Sequence, residues 1–208
     1  MRHALKLMAL LMFITSAVPA TAASDVVNGV LHYKGFAINM TGAANANNLD
    51  AIESSLKKQL DIVVDCGAKP DIISFFRKQK IKLGPKVVSG HDDGGGHFTP
   101  GDGIELNAVP QPAEKPILLH ELLHAFHTFY LPDGAENADI AKFYDNAVRK
   151  RIYPAGESFM RNKVEFFAVT GSLYLWGHVA RLPNNRETLR ARQPLYYKWL
   201  GQLFGVKK

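Results

Sequence analysis

The sequence predicts an α+β fold: a small mixed strand-and-helix N-terminal lobe, then a helical C-terminal lobe, with a metal site at their junction. Three observations predict it. Short strand-like and helix-like segments alternate as far as Val109, the chain becomes mainly helical beyond Pro116, and a closely spaced histidine pair stands where the character changes.

The first residues are expected to lie outside the fold. Arg2 and Lys6 supply a positive start, Leu7 to Ala17 is a nearly unbroken apolar run, and Ala20-Thr21-Ala22 has the small residues a signal peptidase needs. Residues 1–22 therefore read as a secretory signal cleaved after Ala22 or Ala23, leaving 23–208 as one domain in a secreted or periplasmic protein. The run is short of the roughly 20 apolar residues of a membrane span. No later segment is apolar for long enough, so no stable membrane insertion is expected after cleavage. Without that stretch the chain keeps a charge of +4, from 23 basic and 19 acidic residues. Arg181, Arg186, Arg190 and Arg192 form a local basic stretch with no interleaved aromatic residues. A solvated helix face is expected there and a nucleic-acid surface is not. Cys66 is the one cysteine. It excludes an intramolecular disulfide and reads as a small buried residue at a helix end.

The elements follow in order. Gly35 to Met40 reads as a strand, and the small, polar Thr41 to Asn48 as a loop. Leu49, Ile52, Leu56, Leu60 and Val63 recur at helical spacing up to Gly67. Pro70-Asp71 opens a short second helix through Phe76. Ile81 to Val88 is expected to be extended, interrupted by Gly84-Pro85. Ser89 to Gly103 holds six glycines in fifteen residues, the composition of a tightly turning or mobile loop. Ile104 to Val109 reads as a strand ended by Pro110 and Pro112.

Residues 116–130 carry the chemistry. Pro116 suits the first turn of a helix, and Pro132 with Gly134 marks its stop. His120 and His124 are four residues apart, about 40° around a helix axis, so both imidazoles reach one ion. Glu121 is rotated by about 100° from them, out of the coordination shell but beside a water held there. Leu119, Leu122, Leu123 and Phe126 fall on the other side and are expected in the core. The His-Glu-x-x-His spacing is the zincin signature. One zinc ion held by two histidines and a carboxylate keeps a position open for water. Glu121 is then the expected catalytic base.

Glu165 is the expected third ligand, because Phe166 and Phe167 beside it demand a buried helix packed on another. A competing role is structural: Asn162 as an N-cap with Glu165 three residues on would make a capping box. His127 shares a helix face with His120 and His124, one turn on, and is expected behind the ligands or in the cleft wall. His97 and His91 flank Gly94-Gly95-Gly96; as loop histidines they are expected to be solvated, with a place lining the cleft as the other reading. Asp92 and Asp93 lack the spacing of a calcium loop.

With these residues in hand, the chain resembles the lethal-factor-like and Pro-Pro-endopeptidase-like zincins. The resemblance rests on His120-Glu-Leu-Leu-His124 followed about forty residues later by Glu165-Phe-Phe-Ala. It extends over roughly Gly95 to Tyr174 and more faintly over the N-terminal lobe. It implies zinc on His120, His124 and Glu165, Glu121 as general base, and a peptide or protein substrate. It also implies an edge strand before the motif helix that binds substrate by strand addition, which the sequence places at Ile104, Glu105, Leu106 and Asn107. Two positions depart from the family pattern. Ser158 stands where the family has an oxyanion-stabilising Tyr seven residues before the ligand Glu, with Tyr153 the nearby candidate to replace it, and Val169 stands where an acidic residue is frequent. The reading is an exported zinc metallopeptidase. The alternatives are a zinc-binding interaction protein without hydrolytic activity on the same fold, and a metal-free exported domain.

Overall fold

A computed structural model describes residues 25–84, 95–179 and 182–206. The signal-peptide reading, His91, Asp92, Asp93 and Arg181 lie outside these residues. The N-terminal lobe runs β1 (Val26–Val27), β2 (Val30–Tyr33), β3 (Phe36–Asn39), α1 (Leu49–Asp65), α2 (Pro70–Arg77), β4 (Ile81–Gly84), β5 (Gly96–Thr99) and β6 (Gly103–Asn107). The helical lobe is α3 (Ile117–Phe129), α4 (Ala138–Arg149), α5 (Lys163–Trp176), α6 (Arg186–Arg192) and α7 (Pro194–Phe204).

The chain enters the sheet earlier than its hydropathy suggests. Asn28-Gly29 and Lys34-Gly35 all have positive φ, and each pair closes a two-residue hairpin, joining β1 to β2 and β2 to β3. That backbone matches the twist of paired strands, and glycine enters it without strain. β3, β4 and β6 are parallel neighbours, and β5 pairs antiparallel with β6, giving the order β1-β2-β3-β4-β6-β5.

This order corrects the sequence reading in one place that matters. Ile104 to Asn107 is not an edge, because β6 is hydrogen-bonded to β4 on one side and β5 on the other. The edge beside the motif helix, among the described residues, is Gly96–Thr99, inside the stretch read as a glycine loop. Glycine density hid it. Gly96 must be small: a Cβ there would lie 2.6 Å from Leu106 Cδ2 and 3.3 Å from Glu121 Cγ.

Leu31, Phe36, Ile38, Ile81, Leu83, Ile104 and Leu106 join Ile52, Leu56, Leu60 and Val63 of α1 in the core. The same cluster continues through α3 into Phe166, Phe167, Tyr196 and Phe204 of the helical lobe. Cys66 caps α1 and is buried, as expected. The arginines depart from a plain solvated face. Arg186 donates to the Tyr174 and Leu175 carbonyls at 2.8 and 2.7 Å, closing the C-terminus of α5. Arg192 donates to Ile152 O at 2.9 Å and lies over the Tyr153 ring. No helix among the described residues is long and apolar enough to cross a membrane.

Candidate metal centre

Helix α3 lies between the sheet and α5, and its buried side fixes its rotation. Leu118, Leu119, Leu122, Leu123 and Phe126 are fully buried, each contributing about 1.5–3 kcal/mol by removal from water. Its start is held from outside. Gln59 on α1, itself fully buried, accepts from the Leu118 amide at 3.1 Å and donates to the Pro112 and Lys115 carbonyls at 2.9 and 2.8 Å. A helix leaves its first amides unpaired, and here a side chain 59 residues earlier satisfies one. Gln111 does similar work for β5: its Oε1 accepts from the Gly95 amide at 3.0 Å while its amide nitrogen donates to Asn107 O and Val109 O.

Helix α5 begins by a local device. Asn162 Oδ1 accepts from the Glu165 amide at 2.8 Å. Phe166, Phe167 and Ala168 are fully buried, and Gly171 lets α5 approach α3, since a Cβ there would sit 3.2 Å from Leu123 Cδ1. The capping and ligand readings of Glu165 are therefore compatible. Its backbone completes the Asn162 cap, while its carboxylate faces the imidazoles.

The structure brings His120, His124 and Glu165 together as a group able to hold a metal ion. The two Nε2 atoms are 3.1 Å apart, and the Glu165 oxygens stand 3.7 Å from His120 Nε2 and 3.6 Å from His124 Nε2. Tetrahedral zinc with bonds near 2 Å sets its ligand atoms about 3.3 Å apart, so these spacings fit. Burial pushes the His120 imidazole down to about 4 and that of His124 to about 3, with neighbouring positive charge adding to the effect. Both are neutral at neutral pH, the form that binds a metal.

Hydrogen bonds settle which nitrogen of His124 is free. The Thr128 hydroxyl donates to His124 O at 2.8 Å, so its oxygen accepts from His127 Nδ1 at 3.3 Å. His127 Nε2 then carries the lone pair and accepts from His124 Nδ1 at 3.2 Å. That leaves the His124 Nε2 lone pair facing His120 Nε2 and a carboxylate, an arrangement a cation satisfies. His127 thus stands beside His124, on the side away from His120.

Glu121 turns the other way, towards β5, and is 6 % exposed. Burial, then the Glu165 charge, pushes its carboxyl up to about 8, against a hydrogen bond from the Phe98 amide. A cleft of about 530 Å³ runs over these groups, lined by His97 and Phe98 of β5 and by Pro100 just after it, by His120, Glu121, His124 and His127, and by Arg161 and Glu165. Ile104, Glu105 and Leu106 do not line it, although Asn107 does. Ser158 and Tyr153 do not line it either. Tyr153 borders a separate cavity with Tyr144, Met160 and Arg192, so it does not take the place of the family Tyr in this cleft. Sequence reasoning passed over Arg161, Gly96, Gln59 and Thr128. Arg161 had a legible signal, its i,i+4 spacing to Glu165; the Gln59 contact with the α3 start had none.

No family model matches the chain, and no curated protein matches it. Among solved structures it is similar to the PRO-PRO endopeptidase (PPEP-2) from Paenibacillus alvei, at a TM-score of 0.51 and 17 % identity over 77 % of this chain and 94 % of that one. Identity at that level speaks to the fold alone, the zincin-like α+β arrangement.

Proposed function

We propose that the protein is an exported zinc metallopeptidase that hydrolyses peptide bonds with Glu121 as general base. The observation that carries this reading is the convergence of His120, His124 and Glu165 beside Glu121, in a cleft bordered by the edge strand β5. Export rests on the basic start, apolar run and small-residue site of residues 1–22, and 23–208 is the domain that remains. The likeness to an endopeptidase supports a peptidase in general.

The residues that would hold zinc are His120, His124 and Glu165, with His127 and Thr128 orienting His124. When bound, the ion acidifies a water molecule and polarises a carbonyl. Glu121 takes a proton from water as the water oxygen bonds to the carbonyl carbon and the carbonyl π pair moves to oxygen. The C–N bond then breaks, its pair leaves with nitrogen, and nitrogen takes the proton from Glu121. A carboxyl near 8 before any cation is present comes down beside one, into the range where a base both takes and returns a proton at neutral pH. The substrate lies extended along Gly96–Thr99, the edge beside α3 among the described residues, in place of Ile104–Asn107.

The test is metal content together with cleavage of a proteome-derived peptide pool. The parent is expected to carry one zinc and cleave. Glu121→Gln is expected to keep the zinc and lose about 10²–10⁴ in turnover. Equal cleavage by both removes Glu121 from its role. One observation favours the non-hydrolytic alternative: no tyrosine is among the described residues that line the cleft. A zinc-loaded parent that cleaves nothing in the pool would establish that alternative.

A further inference from the structure

The family pattern places an oxyanion donor at the position of Ser158, and neither Ser158 nor Tyr153 lines the cleft. Besides His120, Glu121 and His124 of the candidate centre itself, five described lining side chains carry N–H or O–H donors: His97, Asn107, His127, Thr128 and Arg161. Thr128 donates to His124 O, and His127 is held between Thr128 and His124. Asn107 is 4 % exposed and already has a partner. His97 stands on β5 with its Nδ1 buried.

Arg161 differs from all of these. Its side chain is 66 % exposed, and its Nη2 donates to Glu165 Oε1 at 2.9 Å, which sets a permanent positive charge beside the ligand group. The local chain explains the placement. Phe159 and Met160 of the turn Ser158–Met160 are buried beneath α5, with the Phe159 ring stacked on Phe166, so the next residue emerges into the cleft. A guanidinium has five N–H donors in one plane, and its bond to Glu165 uses one.

Resting on the peptidase reading above, we propose that Arg161 is the catalytic group that receives the negative charge developing on the substrate carbonyl oxygen, in the role the family gives to tyrosine. The charge arises when the water oxygen bonds to carbon and the π pair moves to oxygen, and it returns to a carbonyl as the C–N bond breaks. A donor of this kind acts on the transition state and leaves ground-state binding nearly unchanged.

The test compares zinc-loaded parent, Arg161→Gln, Arg161→Lys and His97→Gln. The peptide most rapidly cleaved from the proteome-derived pool supplies the substrate, and a phosphinic pseudopeptide of the same sequence supplies a transition-state mimic. Zinc affinity is measured separately by chelator competition. Arg161→Gln is expected to retain zinc affinity within about threefold, keep its KM, lose about 10²–10³ in kcat, and lose phosphinic affinity in parallel. Arg161→Lys is expected to recover part of both losses. Three results overturn the proposal: zinc affinity falling together with kcat, which makes Arg161 a prop for Glu165; unchanged kcat in Arg161→Gln; or the loss appearing in His97→Gln instead. A zinc-loaded parent that cleaves nothing overturns the peptidase reading and this proposal with it, whereas an active parent with an equally active Arg161→Gln overturns this one alone.

Discussion

Helices α3 and α5 deliver their side chains to one point, yet they are anchored in opposite ways. α5 is capped by its own neighbour, Asn162, whose side chain accepts from the Glu165 amide. α3 has no side-chain cap from its own N-terminal residue, Pro116, and relies on Gln59 from α1 to accept from Leu118. One helix start is a local matter and the other is a tertiary one. The difference teaches where the site is vulnerable: a change in α1, five elements earlier in the chain, is expected to reach His120 and His124 more directly than a change at the end of their own helix.

This contrast can be broken by experiment. The largest effect is expected from Gln59→Leu, which leaves the buried Leu118 amide without its acceptor and takes one of the donors from each of the Pro112 and Lys115 carbonyls. Unfolding in urea should show a loss of about 1–3 kcal/mol, accompanied by weaker zinc retention. Asn162→Ala should cost less, about 1 kcal/mol, with zinc affinity within a few-fold, because Phe166 and Phe167 continue to hold α5 in the core. Equal losses of zinc affinity in the two variants would erase the distinction.

The smallest effect is a pH dependence of the metal-free protein, read by thermal melts between pH 4 and 9. The folded-state values of His120, His124 and His127, about 4, 3 and 4, lie below the ordinary 6.5, in each case chiefly through burial. Below about 6.5 the unfolded chain binds protons that the folded chain refuses, so stability falls as pH drops towards 4. Glu121 acts in the reverse sense. With its value raised from 4.5 to about 8, it contributes stability present below 4.5 and lost as pH rises through 8. Three imidazoles outweigh one carboxyl on the acid side, so the midpoint is expected to be highest near pH 6.5 and to decline on both sides. A midpoint that rises steadily from pH 6.5 to 8 would contradict the protonated state assigned to Glu121.

Much of the site was legible from spacing. His120, Glu121 and His124 could be placed on two faces of one helix because 3.6 residues per turn is a property of the backbone. Glu165 followed from Phe166 and Phe167, which demanded burial against another helix. The edge strand was not legible. Gly94-Gly95-Gly96 suggests a loop by composition, and only pairing with β6, plus the close approach of Leu106 and Glu121 to Gly96, makes Gly96–Thr99 a strand. The Asn28-Gly29 hairpin was legible but overlooked, since Val27 and Val30 flank a turn of the kind that joins paired strands.

By itself, the sequence determined the elements governed by near neighbours: the helix periods, the Asn162 cap, the relative bearings of His120, Glu121 and His124, and the glycine turns. The tertiary structure alone decided which strand became the edge, that Gln59 would hold the start of α3, that Arg161 would reach the cleft while Tyr153 would not, and which nitrogen of His124 faces His120 and Glu165. The physical reason is range. Helical periodicity and caps act over a few residues, whereas strand order and the pairing of buried polar groups depend on which distant segments the packed core brings together.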